Sequence, residues 1–290
     1  MRNYIALFII ACSIISCNRF NNKDDKKDNS KRIVCISKQY SEIIYALNAQ
    51  KDLVGVDLSS TYPPEIKNLP TVGYHRALSS EAILALKPNL ILHDNNIGPE
   101  HVVSQLEKLK IPMKVFTKYQ ATIAGTDSLI REIGKYFGKE KQADSLCAKL
   151  DNDMKFALEN TNKYKKKPKV LIIHFGRASN VYLVMTKKSI AAKMLEWAGG
   201  EMAVNDEKGM KLLSPEIIAA ANPDIILLTD FGYDRLNNGK DIEKLPGINL
   251  TEAFKNHRIY RIEEHDLVYL GPRTGENILL IQQLIHQDEQ

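Results

Sequence analysis

The 290-residue sequence predicts an α/β fold with two lobes. From Arg32 onward, short β-rich runs alternate with helical runs, and this alternation restarts after a long amphipathic segment. Strands that are apolar throughout and separated by helices are typical of parallel sheets covered on both faces. We therefore expect two Rossmann-like lobes with parallel sheets, joined by one long rigid α-helix, and a ligand cleft between the lobes.

The first lobe is predicted at residues 32–138. Apolar runs typical of strands alternate with runs typical of helices along the chain. The predicted strands are 33–36, 53–56, 90–92 and 113–116. The predicted helices are 41–48, 79–86 and 100–109.

The linker helix is predicted at residues 139–167. The stretch 140–164 contains no Gly or Pro, and its apolar residues recur at three- and four-residue steps. Pro168 ends the pattern. A helix over residues 140–164 spans about 37 Å at 1.5 Å per residue. One rigid helix between two lobes implies a cleft that barely opens.

The second lobe is predicted at residues 168–290, where the alternation of strands and helices resumes. The predicted strands are 170–173, 183–185, 225–228 and 258–262. The predicted helices are 189–198, 214–221 and 276–285.

The N-terminus predicts export. Arg2 precedes an almost unbroken apolar run at 5–15, which is too short for a permanent membrane span and is typical of a signal peptide. The residues just before Cys17 resemble the bacterial lipobox, in which the cysteine carries lipid. We expect a lipoprotein signal peptide at 1–16 and a flexible polar tether at 17–31. The protein would then lie outside the cytoplasmic membrane, anchored through Cys17.

Composition excludes several classes of function. The formal net charge is +5, with acids and bases interspersed, so no nucleic-acid surface is predicted. No phosphate-binding Gly-rich loop and no Gly-x-Ser-x-Gly motif occurs in the sequence, and we expect no enzyme. Cys35 falls on a predicted strand and Cys147 on a distant helix, so two buried thiols are expected rather than a disulfide.

An internal repeat relates the two lobes. Residues 78–92 read LSSEAILALKPNLIL, and residues 213–227 read LSPEIIAAANPDIIL. Each copy places one acid, Glu81 or Glu216, in the first turn of a helix, where acids commonly compensate the helix dipole. The pairing also suits docking onto a two-fold partner with basic sockets.

The lobe–helix–lobe plan, the lipobox and the paired Ser-x-Glu helices resemble the substrate-binding proteins of ABC importers for cobalamin, siderophores and haem. In that class, one glutamate per lobe forms a salt bridge with an arginine of the permease dimer. The resemblance implies that Glu81 and Glu216 dock onto a permease dimer, which works with its ATPase. It also implies that the binding protein is a monomer.

Two motifs resemble the haem branch of this class. Residues 72–88 read VGYHRALSSEAILALKP, with Tyr74 followed two residues later by Arg76, and residues 271–274 read GPRT. The resemblance implies haem as a transported ligand, with Tyr74 bound to the iron and Arg76 as its hydrogen-bonding partner. Tyrosinate is a suitable axial ligand for ferric haem, and a nearby guanidinium favours the phenolate.

Three further residues are candidates in the second lobe. His174 follows the first strand of that lobe and is a possible second axial ligand, although Phe175-Gly176-Arg177 departs from the family pattern. Arg177 and Arg273 are candidates to pair with the haem propionates. For Arg273, a structural role in the Gly-Pro-Arg-Thr turn is equally open. His75 is expected to point away from Tyr74.

Other functions stay open from the sequence. The same class of protein could carry cobalamin or a ferric siderophore, and replacement of Tyr74 should then matter little. A haem relay or storage lipoprotein would not depend on Glu81 and Glu216. A haem-modifying enzyme would turn over its bound ligand.

Overall fold

The computed structural model describes residues 30–116 and 120–289. Its strands, in chain order, are β1 (Ile33–Ile36), β2 (Leu53–Val56), β3 (Gly73–Tyr74), β4 (Ala77–Leu78), β5 (Leu90–His93), β6 (Met113–Lys114), β7 (Lys169–Gly176), β8 (Val181–Met185), β9 (Glu201–Met202), β10 (Met210–Leu212), β11 (Ile225–Thr229) and β12 (Ile259–Ile262). Its α-helices are α1 (Lys38–Ala46), α2 (Ser80–Ala85), α3 (Glu100–Lys108), α4 (Ile123–Phe137), α5 (Glu140–Thr161), α6 (Ile190–Trp197), α7 (Pro215–Ala221), α8 (Asp230–Arg235), α9 (Glu252–Lys255) and α10 (Thr274–Ile285).

The first lobe is built on a four-stranded sheet in the order β2-β1-β5-β6, with every neighbouring pair parallel. Alternate residues of β1 point to opposite faces, and both faces are buried. Ile33 and Cys35 pack with the core that includes α1 and α4, whereas Val34 and Ile36 pack with α2 and α3. The predicted parallel, doubly covered sheet is confirmed in this lobe.

The second lobe is built on a six-stranded sheet in the order β10-β8-β7-β11-β12, with β9 also paired to β7. The strands β7, β9, β11 and β12 pair with one another in parallel, but β8 is antiparallel to both β7 and β10. The predicted parallel strands are therefore present in this lobe, but β8 adds antiparallel pairs that the sequence did not predict. Only four residues, 177–180, connect β7 to β8, too few for a crossover, so these two strands form a hairpin.

Helix α5 lies between the two sheets in sequence and carries a buried stripe. Its buried residues are Ala143, Cys147, Leu150, Met154 and Ala157, which belong to one core cluster together with residues of both sheets. The helix packs against α4 and α10. Residues 32–290 accordingly form one compact unit.

Helix α5 ends at Thr161, three residues earlier than the sequence pattern predicted. The carboxylate of Glu289 accepts hydrogen bonds from the backbone N–H groups of Lys165 and Lys166, at 2.9 and 3.2 Å. These bonds give the backbone N–H groups of Lys165 and Lys166 acceptors outside the helix, so the helix need not continue to this point.

Cys35 and Cys147 are both buried free thiols, as predicted. Burial raises the pKa of each thiol to about 12. None of the helices in the described ranges has both the length and the apolar run that crossing a bilayer requires. The predicted signal peptide, the lipid-bearing Cys17 and all but the last two residues of the predicted tether lie outside the described residues.

Candidate functional site

A cavity of about 610 Å³ lies between the two lobes. Its walls come from segments that directly follow the carboxyl ends of parallel strands in both sheets, where α/β folds usually bind ligands. Its volume is in the range of small-molecule sites. Polar residues that line it include Lys38, Tyr74, His75, Arg76, Asn96, His174, Arg177 and Glu264. We call this cavity the cleft.

Tyr74 enters the cleft from a short hairpin made by β3 and β4. Gly73 precedes it with a φ of 97°, and a Cβ there would lie 2.7 Å from the carbonyl oxygen of Ala77, so glycine is needed for this turn. Burial and the Glu264 carboxylate raise the pKa of Tyr74, and Arg177 and Arg76 only partly oppose them. The phenol is therefore neutral at ordinary pH.

Two guanidinium groups approach Tyr74, one from each lobe. Arg76 lies two residues along the same hairpin and is exposed. Arg177 follows β7, and its guanidinium carbon is 5.9 Å from the centre of the Tyr74 ring and 3.9 Å from that of Phe231. Its Nε is buried without a hydrogen-bond partner. The cleft thus holds positive charge available to an anion.

His75 does not point away from Tyr74, contrary to expectation, because the two ring centres are 4.1 Å apart. Its Nδ1 lies 3.2 Å from the Ser59 hydroxyl and 3.6 Å from the buried carboxylate of Asp57. Its Nε2 lies 3.4 Å from the side-chain nitrogen of Asn96. Both ring nitrogens therefore face polar neighbours, and His75 supports the Tyr74 ring.

His174 lies on β7 and is buried in the cleft wall. Its Nδ1 is buried without a hydrogen bond, 3.5 Å from the nearer carboxylate oxygen of Glu264. Burial lowers the pKa of His174, although Glu264 partly opposes this effect. The imidazole is therefore neutral at pH 7, which is the form that binds metals.

Glu264 and Lys38 also line the cleft, although neither was predicted from the sequence. Lys38 Nζ lies 2.5 Å from Glu264 Oε1 and joins α1 of the first lobe to the segment after β12 of the second. Burial alone would raise the pKa of Glu264, but Lys38, His174 and Arg177 outweigh it and hold the pKa at about 2. The position of Glu264, two residues beyond β12, is the signal that could have identified it.

Arg273 does not line the cleft. Its guanidinium carbon is 3.4 Å from the centre of the Tyr62 ring, and its nitrogens lie 2.9 Å from Glu42 Oε1 and 2.6 Å from Asp266 Oδ1. It faces a second cavity of about 440 Å³ instead. Of the two roles that the sequence left open, this geometry favours the structural one.

Glu81 and Glu216 lie outside the cleft, each exposed in the first turn of its helix. The Ser79 hydroxyl accepts a hydrogen bond from the N–H of Ala82 at 3.1 Å, and the Ser214 hydroxyl accepts one from Ile217 at 3.3 Å. The two repeat helices α2 and α7 therefore begin in the same way. Each presents one exposed carboxylate, and that of Glu216 also hydrogen-bonds with the Ser214 side chain at the start of its own helix.

The cleft is the kind of site that a binding protein uses. Its walls combine a neutral phenol, a neutral imidazole and two guanidinium groups with the apolar surfaces of Leu183, Ile190 and Met210. Such walls suit a ligand that has a large apolar body, negative groups and an atom able to accept oxygen or nitrogen ligands.

Comparisons with known proteins agree with this geometry. Residues 33–265 match the model of the periplasmic binding protein family. The chain is 29% identical to the uncharacterized ABC transporter substrate-binding lipoprotein YvrC of Bacillus subtilis, over 90% of this chain and 82% of that protein. It is 28% identical to the high-affinity heme uptake system protein IsdE of Staphylococcus aureus, over 90% of this chain and 89% of that one.

A solved structure also resembles this fold. The periplasmic heme-binding protein RhuT from Roseiflexus sp. RS-1, in its apo form, superposes with a TM-score of 0.80 at 31% identity. The match covers 90% of this chain and 100% of RhuT.

Proposed function

Since the chain belongs to the periplasmic binding protein family, we propose that it captures haem in the cleft outside the cytoplasmic membrane and delivers it to an ABC importer. The observation that carries the proposal is the meeting of Tyr74, His174 and two guanidinium groups in one cavity between the lobes. The names of IsdE and RhuT as haem-binding relatives support the same cargo.

In this proposal, Tyr74 binds the ferric iron as tyrosinate. The iron supplies most of the charge that ionises the phenol, and Arg76 and Arg177 add positive potential beside it. Arg76 acts as the hydrogen-bonding partner of the tyrosinate. Arg177, which has a buried Nε without a partner, pairs with a propionate.

His174 is proposed as the second axial ligand, from the opposite lobe. A neutral imidazole can bind the iron without first losing a proton. The flat apolar face of the macrocycle would lie against the apolar residues of the cleft wall. The ligand would thus be held by both lobes at once.

Delivery is proposed to use Glu81 and Glu216. Both are exposed and stand at equivalent places in the two lobes, as two basic sockets on a permease dimer would require. The binding protein would act as a monomer and has no catalytic step in this scheme. The domain limits proposed from the sequence are 32–138, 139–167 and 168–290.

Membrane attachment is proposed through lipid on Cys17, after removal of residues 1–16 and with 17–31 as the tether. In a bacterial host fed radiolabelled fatty acid, the wild-type protein should carry label. The Cys17→Ser protein should carry none, and label on this variant would refute the anchor.

The direct test of the cargo is a hemin titration of residues 22–290, which contain the whole compact unit. We expect saturable binding with a ferric tyrosinate spectrum, and Tyr74→Phe should weaken affinity by about 10- to 100-fold and remove that spectrum. Tyr62→Phe is the matched control, because the Tyr62 ring lies in the second cavity. Saturable binding of cobalamin or a ferric siderophore, without binding of hemin, would overturn the proposed cargo.

A further inference from the structure

We propose that Glu264 is a positioning residue for His174, and that Lys38 of the opposite lobe holds Glu264 in place for this task. One carboxylate oxygen of Glu264 would accept the Nδ1–H of His174, which directs Nε2 toward the iron. This inference rests on the proposed haem-binding function and assigns to it a part that the sequence motifs do not contain.

The first observation is the state of the two ring nitrogens of His174. Nδ1 is buried and makes no hydrogen bond, and its nearest acidic atom is Glu264 Oε2 at 3.5 Å. Nε2 makes no hydrogen bond with the described part of the chain and is not among its buried unpartnered atoms, so it is the nitrogen open to the cleft. Nδ1 is thus directed at a carboxylate, and Nε2 is free for a ligand.

The second observation is that Glu264 is fixed from two sides. Its Oε1 lies 2.5 Å from Lys38 Nζ, and its backbone N–H donates to Asp230 Oδ1 at 3.0 Å. Because Lys38 occupies one carboxylate oxygen, the other is left for His174. A movement of roughly 0.3–0.8 Å would bring Nδ1 and Oε2 to normal hydrogen-bond distance.

The chemical consequence follows from the way metal-bound imidazoles behave. A carboxylate that accepts the Nδ1 proton fixes the tautomer, prevents ring rotation and makes Nε2 a stronger donor to the metal. The loss of such a partner usually costs 10- to 100-fold in metal affinity. The ion pair with Glu264 would therefore connect Lys38 of the first lobe to ligation by His174 of the second.

The test is a double-mutant cycle on the full chain in detergent, with hemin affinity and visible absorption as readouts. The four proteins are wild type, Glu264→Gln, His174→Ala and the double variant. If Glu264 acts through His174, Glu264→Gln should weaken affinity by about 10- to 100-fold in the wild-type background, and it should cause no loss once His174 is absent, because the variant then only removes a charge that opposes ionisation of Tyr74. His174→Ala should convert a six-coordinate spectrum to a five-coordinate one.

Glu263→Gln is the matched control, because Glu263 pairs with Arg261 outside the cleft and should leave affinity and spectrum unchanged. If Glu264→Gln does not fold, Lys38→Gln provides the second route. It keeps the Glu264 carboxylate but releases it, and should produce a mixture of five- and six-coordinate haem. Glu264→Asp, which keeps the charge, should recover part of the affinity.

The outcomes separate this inference from the proposed function. Additive losses in the cycle, or a wild-type spectrum that is unchanged in His174→Ala, would overturn the role of Glu264 while Tyr74-dependent hemin binding stands. Failure of the wild-type protein to bind hemin would overturn the proposed function itself.

Discussion

In the proposed complex, the phenol of Tyr74 must lose a proton before its oxygen can bind ferric iron, and its surroundings in the cleft oppose that loss. Burial and Glu264 raise the pKa of Tyr74, and two nearby guanidinium groups do not cancel the effect. The tyrosine is therefore held protonated until a cation of high charge arrives. In the proposed complex, this state would favour a ligand that brings such a cation into the cleft.

A pH dependence of hemin affinity follows from this proton. Because its raised pKa keeps Tyr74 protonated without haem, whereas it is ionised in the proposed complex, binding should release one proton, and affinity should rise with pH. Between pH 7 and 9, where His174 is already neutral, the rise should be about tenfold per pH unit. Equilibrium titrations of wild type and Tyr74→Phe would measure it. A flat profile in wild type, equal to that of the variant, would exclude Tyr74 as the ligand.

The sequence predicted part of this site. Tyr74, Arg76, His174 and Arg177 stand in recognisable motifs or at strand ends, and the fold brings all four to the cleft. Lys38 and Glu264 belong to no motif, because their role depends on a contact between residues 226 positions apart. Spacing in the sequence cannot reveal such a pair.

Arg273 shows that a residue of a recognisable motif can lie outside the cleft. Its motif is recognisable, but its partners Glu42 and Tyr62 come from the other lobe, and they hold the guanidinium away from the cleft. Burial alone would raise the pKa of Glu42, yet His265, Arg273 and Tyr269 together lower it. The motif therefore marks a place where the two lobes are in contact.

Among the elements, helices α5 and α10 approach each other so closely at Gly275 that no side chain fits between them. A Cβ on Gly275 would lie 2.5 Å from the backbone carbonyl carbon of Asp153 and 2.7 Å from the backbone nitrogen of Met154. Backbone atoms cannot yield as a flexible side chain can. The glycine thus permits the linker helix to pack directly on the last helix of the second lobe.

Gly275→Ala should therefore destabilise the protein by about 1–3 kcal/mol, because the added methyl group must push two helices apart. Urea unfolding followed by circular dichroism would measure the free energy. Gly209→Ala is the matched control, since a Cβ at Gly209 meets nothing within 4 Å. Equal stability of the two variants would mean that the helices are not packed as described.

Sequence periodicity succeeded best for the elements with a clean pattern. The linker helix and the apolar strands of the first sheet were predicted with small errors at their ends. Helix α4 was missed because Gly125 and Gly134 interrupt its pattern, although Thr122 caps its start and Gly138 ends it in the left-handed region. The antiparallel edge of the second sheet was missed because β8 is as apolar as a parallel strand.

At the scale of the whole molecule, buried polar contacts join the lobes beneath the cleft. Glu42 of the first lobe accepts hydrogen bonds from Tyr269 and Arg273 of the second and pairs with His265. The Gln39 side chain donates to the carbonyl oxygen of Leu270 at 2.6 Å. Separation of the lobes would expose or unpair these groups at a cost for each. Together with α5, they support a cleft that changes little on binding.

A rigid cleft would give Glu81 and Glu216, the carboxylates proposed for docking, a fixed separation. Glu81→Lys or Glu216→Lys should strongly reduce haem uptake through the importer and leave hemin affinity unchanged, because both residues are exposed and outside the cleft. Transport into vesicles that contain the permease and its ATPase would measure this. Glu100→Lys and Glu252→Lys reverse exposed first-turn acids of α3 and α9 as controls. Undiminished uptake by both docking variants would refute docking through these two carboxylates, whereas no uptake with the wild-type protein would favour a relay or storage protein.

We propose above all that ferric haem lies in the cleft with its iron bound to Tyr74. Anomalous diffraction at the iron edge, from crystals of the hemin-loaded protein, tests it most directly. We expect one iron peak between the lobes at coordination distance from the Tyr74 phenolate oxygen, with His174 on the opposite side. An iron peak away from Tyr74, such as in the second cavity beside Tyr62 and Arg273, would contradict the claim.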